Sequence, residues 1–130
     1  MAEHLNIAVL RHGYEAFAAG DMATVRGLWT EDVTCHVKGL GKLDGEYRGP
    51  DEVFDFLGKV AEETGGTNRL DVHAILADDE HGAVLVTSHA QRNGKTSALD
   101  VVHVHHLRDG KTQELWFAVT NPAEALAFWE

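Results

Sequence analysis

The chain holds a single cysteine, Cys35, among 130 residues, so no internal disulfide can form and zinc sites built on four cysteines are excluded. That usage fits a reducing compartment, and a cytoplasmic location is the expectation. Cations are scarce: 11 Lys and Arg stand against 21 Asp and Glu, a formal net charge of -10, with no basic cluster to offset it. Such a chain repels phosphate backbones and anionic headgroups, which argues against nucleic acid and membrane partners. Long apolar runs are missing as well. From Met1 to Gly13 the apolar residues are broken by His4, Asn6, Arg11 and His12, which leaves neither a signal-peptide core nor a membrane span.

What remains is apolar material enough for one core, 44% of the chain, in a length that suits one domain over residues 1–130. Ile7, Leu10, Tyr14 and Phe17 recur at helical spacing, which predicts a helix from about Glu3 to the glycine at Gly20. Asp21 offers an oxygen to the free amides of a second, short helix with Met22, Val25, Leu28 and Trp29 on its apolar face. Val33 to Val37 is β-branched and brief, a first strand, and the glycine-spaced stretch from Gly39 to Gly49 reads as a loop or ragged hairpin. Glu31 and Asp32, just before that strand, read as a solvated turn. Pro50 suits a helix's first turn, Asp51 and Glu52 complement its dipole, and Val53, Phe56, Leu57 and Val60 give this third helix one buried face.

After Gly65-Gly66 the period changes to two, with Leu70, Val72, Ala74 and Leu76 alternating against Asp71, His73 and Ile75. Asn93-Gly94 and Asp109-Gly110 each supply the positive-φ pair of a two-residue hairpin. Three antiparallel strands are therefore expected at about Ala83 to Arg92, Lys95 to Leu107 and Lys111 to Thr120. Asn121-Pro122 then opens a short terminal helix carrying Leu126, Phe128 and Trp129. Helices first and a meander afterwards predict the α+β class: a curved antiparallel sheet packed against three helices of the N-terminal half, with a short C-terminal helix and a pocket between helices and sheet.

The order of a helix, AFAAGDMATVRGLWTEDVT, a loop, YRGPDEVFDFL, and a meander with ALDVVHVHHLRDGKTQELWF resembles the nuclear transport factor 2-like superfamily, in its SnoaL-like and ketosteroid isomerase-like branch. The resemblance spans nearly the whole chain. It implies a cone-shaped α+β barrel with a ligand cavity, commonly a homodimer through the outer face of the sheet. It does not imply one reaction, because the fold hosts isomerases, cyclases, hydrolases, binding subunits and adaptors.

Set against the isomerases, the position of the catalytic Asp falls on Val37, which has no lone pair to take a proton. The oxyanion-binding Asp falls on His103, the oxyanion-binding Tyr near Gly13 with Tyr14 displaced by one, and the supporting tyrosines on Trp29 and Leu57. Standard ketosteroid isomerase chemistry is disfavoured. The resemblance to polyketide cyclases directs attention to a late strand, here Asp100 to His106. By alternation His103 and His105 share a face with Val101, and Asp100, Val102, Val104 and His106 share the other; the alignment favours the first set for the cavity. An imidazole there can exchange protons or hold a ligand oxygen. The hydrolases' carboxylate and Arg cluster cannot be assigned, and Arg69 and Arg92, near strand ends, read as solvent-facing.

The expected catalytic residues are thus His103 with His105 and Tyr14 as polar partners. The expected ligand-binding wall comprises Trp29, Cys35, Val37, Phe54, Leu57, Val86, Val101, Leu115, Phe117 and Val119. No cofactor and no metal is required, although His103 and His105 have His-x-His spacing. The expected occupant is a small apolar organic ligand bearing oxygen, turned over by isomerase- or cyclase-type acid/base chemistry. Competing readings are ordinary polar histidines on a half-buried sheet face, a non-catalytic carrier using the same cavity, and a protein-interaction domain with a solid core.

Overall fold

The computed structural model describes residues 4–130. Helix α1 runs over Leu5–Ala18, with the His4 ring nitrogen accepting from the Asn6 amide at its start; Glu3, where the spacing would begin it, lies outside the described residues. Asp21 caps α2, Met22–Gly27, by accepting from the Thr24 amide. This second helix is shorter than its apolar spacing predicts. Leu28 ends it and Trp29 is already the first residue of strand β1, Trp29–Lys38, so Glu31 and Asp32 are exposed strand residues and not a turn. A single 3-10 turn at Gly41–Leu43 and strand β2, Gly45–Arg48, complete the ragged hairpin. Helix α3 spans Gly49–Glu63, with Pro50 in its first turn and Val53, Phe56 and Val60 buried. Strands β3, Arg69–Ala77, β4, His81–Arg92, β5, Lys95–Arg108, and β6, Lys111–Val119, precede the closing helix α4, Pro122–Trp129.

The six strands form one curved open sheet in the order β2-β1-β6-β5-β4-β3, with the helices in the N-terminal half and the short α4 at the end. Both hairpin turns have the backbone their sequences call for: Asn93 and Gly94 at φ 50° and 76°, Asp109 and Gly110 at 52° and 75°. One pairing departs from the expected antiparallel meander. Strand β1 lies parallel to β6, Cys35 opposite Leu115 and Val37 opposite Phe117, along the edge of β6 that β5 leaves free. The β3 alternation also breaks. His73 is an extra residue between the Val72–Val86 and Ala74–Leu85 pairs, and this bulge sends Ile75 and Ala77 inward while Ala74 and Leu76 turn outward.

Two apolar clusters fill the interior. One joins Val33, Cys35 and Val37 of β1 to Val53 and Phe56 of α3 and to Phe128 and Trp129 of α4; the other joins Leu10 of α1 to Val84, Val86 and Leu107. Arg92 is buried against expectation. Its guanidinium donates to Glu63 Oε2 at 3.1 Å and to the carbonyls of Phe128 and Glu130, tying α3 and α4 to the end of β4. No described helix is long and apolar enough to cross a membrane.

Candidate functional site

Alternation along β5 turns His103 and His105 to the inner face, where both are buried, and leaves Asp100 and Val104 exposed on the outer face. Tyr14 approaches them from α1. Its hydroxyl lies 2.7 Å from Nδ1 of His103 and 2.9 Å from Nε2 of His105. His105 Nδ1 is in turn 3.0 Å from the Thr112 hydroxyl. His103 and its two expected polar partners, His105 and Tyr14, are therefore one hydrogen-bonded chain ending on Thr112. The Tyr14 ring stacks on His103 with centroids 5.8 Å apart, and Phe117, the cross-strand partner of His103, closes the other side at 4.3 Å.

A hydroxyl carries one proton, so Tyr14 donates to one imidazole and accepts from the other. Two arrangements satisfy every member. With His103 Nδ1–H donating to Tyr14, Tyr14 donates to His105 and His105 Nδ1–H donates to Thr112; with all directions reversed, Thr112 donates to His105 and Tyr14 to His103. His103 Nε2 has no partner in either, yet no enclosed side-chain nitrogen or oxygen among the described residues lacks one. That nitrogen therefore keeps a little accessible surface. It is a bare acceptor in the first arrangement and an N–H donor in the second.

The surroundings keep all four groups neutral. Burial pulls the His103 pKa down to about 3, with His105 as a neighbouring like charge adding to it, and pulls His105 down to about 4. Although Tyr14 keeps some surface, desolvation pushes its ionisation well above the phenol range, and Cys35 adds to this. Burial also raises the Cys35 thiol to about 12, so it is no nucleophile.

Two adjoining cavities lie between helices and sheet, and His103 borders both. The first, of about 90 Å³, is bounded by Tyr14, Trp29, His105, Thr112 and Leu115 among others; the second, of about 80 Å³, extends past Val101 and Val119 to Leu40, Asn68, Ser88 and Trp129. Phe17, Leu57, Leu70, His103 and Phe117 line both. Of the expected wall, Trp29, Leu57, Val101, Leu115, Phe117 and Val119 do border this space. Cys35, Val37, Phe54 and Val86 do not. Cys35 and Val37 are packed into the cluster beneath α3, Val86 belongs to the cluster around Leu10, and Phe54 lies against Trp29 with ring centroids 4.7 Å apart.

Thr112 was not legible in advance. Regular pairing from the Asp109-Gly110 turn sets Leu107 opposite Thr112, but Gln113 is then bulged out, so His106 faces Glu114 and His105 faces Leu115. The parity of the inner face thus changes within β6. Only the position of Thr112 opposite the inward Leu107 could have signalled it.

Residues 10–115 match the family model described as a SnoaL-like domain. The Uncharacterized protein Rv0034 of Mycobacterium tuberculosis is 27% identical over 130 residues, with 99% of each chain covered. Among solved structures, Bal32a from a soil-derived mobile gene cassette superposes with a TM-score of 0.90 at 27% identity, covering 96% of both chains. TerC, co-crystallized with polyporic acid, superposes with a TM-score of 0.80 at 26% identity over 91% of this chain and 93% of its own.

Proposed function

Because the chain belongs to the SnoaL-like family of the nuclear transport factor 2-like superfamily, a fold shared by several chemistries, we propose from its own site that it is a cofactor-independent acid/base enzyme of the isomerase or cyclase kind. The substrate in this reading is a compact apolar metabolite bearing a carbonyl or hydroxyl. One observation carries it: His103 borders both cavities, its Nδ1 is fixed by Tyr14, and its Nε2 has no hydrogen-bond partner among the described residues. A ligand oxygen meeting Nε2 finds a donor or an acceptor according to the direction of the Tyr14 proton. The TerC co-crystal supports a small organic occupant.

An imidazolium standing alone here is costly, as the value of about 3 states. Proton transfer from a substrate carbon to Nε2 becomes accessible only as an enolate oxygen forms beside it, since the two charges then appear together in a low dielectric. His105, reached through Tyr14, spreads the positive charge. Size limits the substrate. The cavities, about 90 and 80 Å³, compare with the roughly 150 Å³ that accommodates benzene. Each alone is smaller, so in this reading a single ring spans both, and side chains that line both, Leu57 and Phe117 among them, yield to it.

A second reading, a carrier without chemistry, is favoured by the apolar Val37 where resembling isomerases hold their carboxylate, and by the depressed imidazoles. The discriminating experiment screens monocyclic ketones and phenols by thermal shift, then follows α-hydrogen exchange of a binding ketone in D2O by NMR. The expected outcome is exchange by the wild type that falls by about 100-fold or more in His103→Asn. Tyr14→Phe, which frees both imidazoles, also slows it. Binding with exchange at the buffer rate would leave the carrier and sink the enzyme.

A further inference from the structure

Behind the cavity, on the outer face of the sheet, one donor atom from each of Glu80, His81 and His106 lies within 4.8 Å of the others. We propose that these three residues bind a divalent transition cation of the zinc class, a site separate from the acid/base chain. Two imidazoles and one carboxylate are a borderline donor set that suits zinc, nickel, cobalt or copper and suits magnesium or calcium poorly.

The backbone prepares this arrangement. His81 and His106 are direct cross-strand partners in β4 and β5, and their rings stack with centroids 5.5 Å apart and planes 15° from parallel. Glu80 is held beside them because its carbonyl accepts from the Leu107 amide at 2.7 Å. Asp78 then supports the turn: its Oδ1 accepts from the amides of Glu80 at 2.9 Å and His81 at 2.7 Å, and lies 3.1 Å from His81 Nδ1. An ionised carboxylate only accepts, so Nδ1 of His81 carries the proton and Nε2 presents its lone pair. A carboxylate fixing the tautomer of a ligating histidine is the usual outer support of a metal site. Metal–donor distances near ~2.0–2.1 Å put tetrahedral donors roughly 3.4 Å apart, so the three atoms must close by at most about 1.4 Å, which the exposed Glu80 and His81 side chains supply by rotating towards the half-buried His106. Three protein donors leave a fourth position for water.

The site has a mechanical connection to the cavity. The same turn seats α1, since the Asn6 side-chain amide donates to the carbonyls of Asp78 at 3.0 Å and Asp79 at 3.2 Å. His105 sits next to His106, on the opposite face of β5. A bound cation would pin the turn that holds the helix bearing Tyr14.

The test uses the tag-free chain, stripped with EDTA and titrated with zinc chloride by calorimetry, with cobalt chloride followed in the visible. One equivalent per chain and the intense visible absorption of four-coordinate cobalt are expected. His81→Ala and His106→Ala should each weaken zinc by more than about tenfold, Asp78→Asn by about tenfold, and the exposed control His73→Ala not at all. Near-UV circular dichroism shows that each variant is folded, and His106→Gln repeats the test with a side chain of similar length. No saturable heat in the wild type, or unchanged affinity in both His106 variants, overturns the site. Neither result bears on ketone exchange at His103.

Discussion

A histidine enclosed by apolar side chains stays neutral because its cation would give up hydration that nothing in the cavity replaces. His103 and His105 hold folded values of about 3 and 4, whereas an unfolded histidine titrates near ~6.5. Between those limits the unfolded chain binds more protons than the folded one, so stability falls as pH falls. The contribution is complete above pH ~6.5 and is lost progressively towards the folded values, at up to about 1.4 kcal/mol per pH unit for each histidine. Carboxylates held low by hydrogen bonds, such as Asp78 and Glu63, weaken the fold only in more acid solution, below about pH 5. The interval from about pH 6.5 to 5 therefore keeps these carboxylates out of a comparison between wild type and a His103 variant. Urea unfolding across it should give a descending midpoint, and His103→Asn, which can keep a hydrogen bond to Tyr14 but does not titrate, should roughly halve the slope. An unchanged slope in that variant would show that His103 is not the group responsible.

Helix α1 meets β4 at Gly82, and the missing side chain makes room for Leu10. A Cβ on Gly82 would stand 2.5 Å from Leu10 Cδ1 and 3.5 Å from the Cβ of its cross-strand partner His105. Leu10 is itself buried and lines the first cavity, so it could yield only into that space. Gly82→Ala should therefore cost about 1–3 kcal/mol by overpacking, seen as a lowered thermal midpoint. It should also lift Tyr14 from the histidines, which an altered His103 imidazole NMR signal would report; a variant as stable as wild type would show that α1 is not seated there. Elements of this kind were legible in the sequence wherever their signals were local. Asp21 marked a cap, Pro50 a helix start, and Asn93-Gly94 and Asp109-Gly110 two hairpins. Alternation put His103 and His105 on one face of β5 and the family resemblance chose that face for the cavity, while Tyr14 was legible as part of the apolar stripe of α1. The parallel β1–β6 pairing was not, since it joins residues some 80 positions apart whose side chains carry no mark of their partner. Trp29 was misplaced because Leu28-Trp29 continues a helical stripe that α2 is too short to use. The bulges at His73 and Gln113 were invisible for a related reason: one extra residue inverts the alternation without changing composition.

At the scale of the whole molecule the sheet has two faces and only one is covered by helices. Across its outer face, Leu76, Ala83, Val104 and Trp116 lie in one row of directly paired residues spanning β3 to β6. The next row is Ala74, Leu85, Val102 and Ala118. Leu76 is 56% exposed, Leu85 39% and Val104 37%, so the two rows present a continuous apolar surface to water. Contiguous patches of this kind on a folded chain mark contact surfaces, and a self-complementary patch is satisfied most simply by a two-fold partner. Charge works against this. Two chains of net charge -10 repel, so apolar burial must carry the contact and added salt should strengthen it. The expected species is a homodimer through this face, and sedimentation velocity at low and moderate salt measures it. Leu85→Lys sets like charges close together in the middle of the contact and should return the protein to monomer. On the exposed face of a strand it should leave the cavity histidines and their acid titration unchanged. A wild type that sediments as a monomer at every salt concentration, or a Leu85→Lys variant that remains dimeric, would remove the outer face as the site of association.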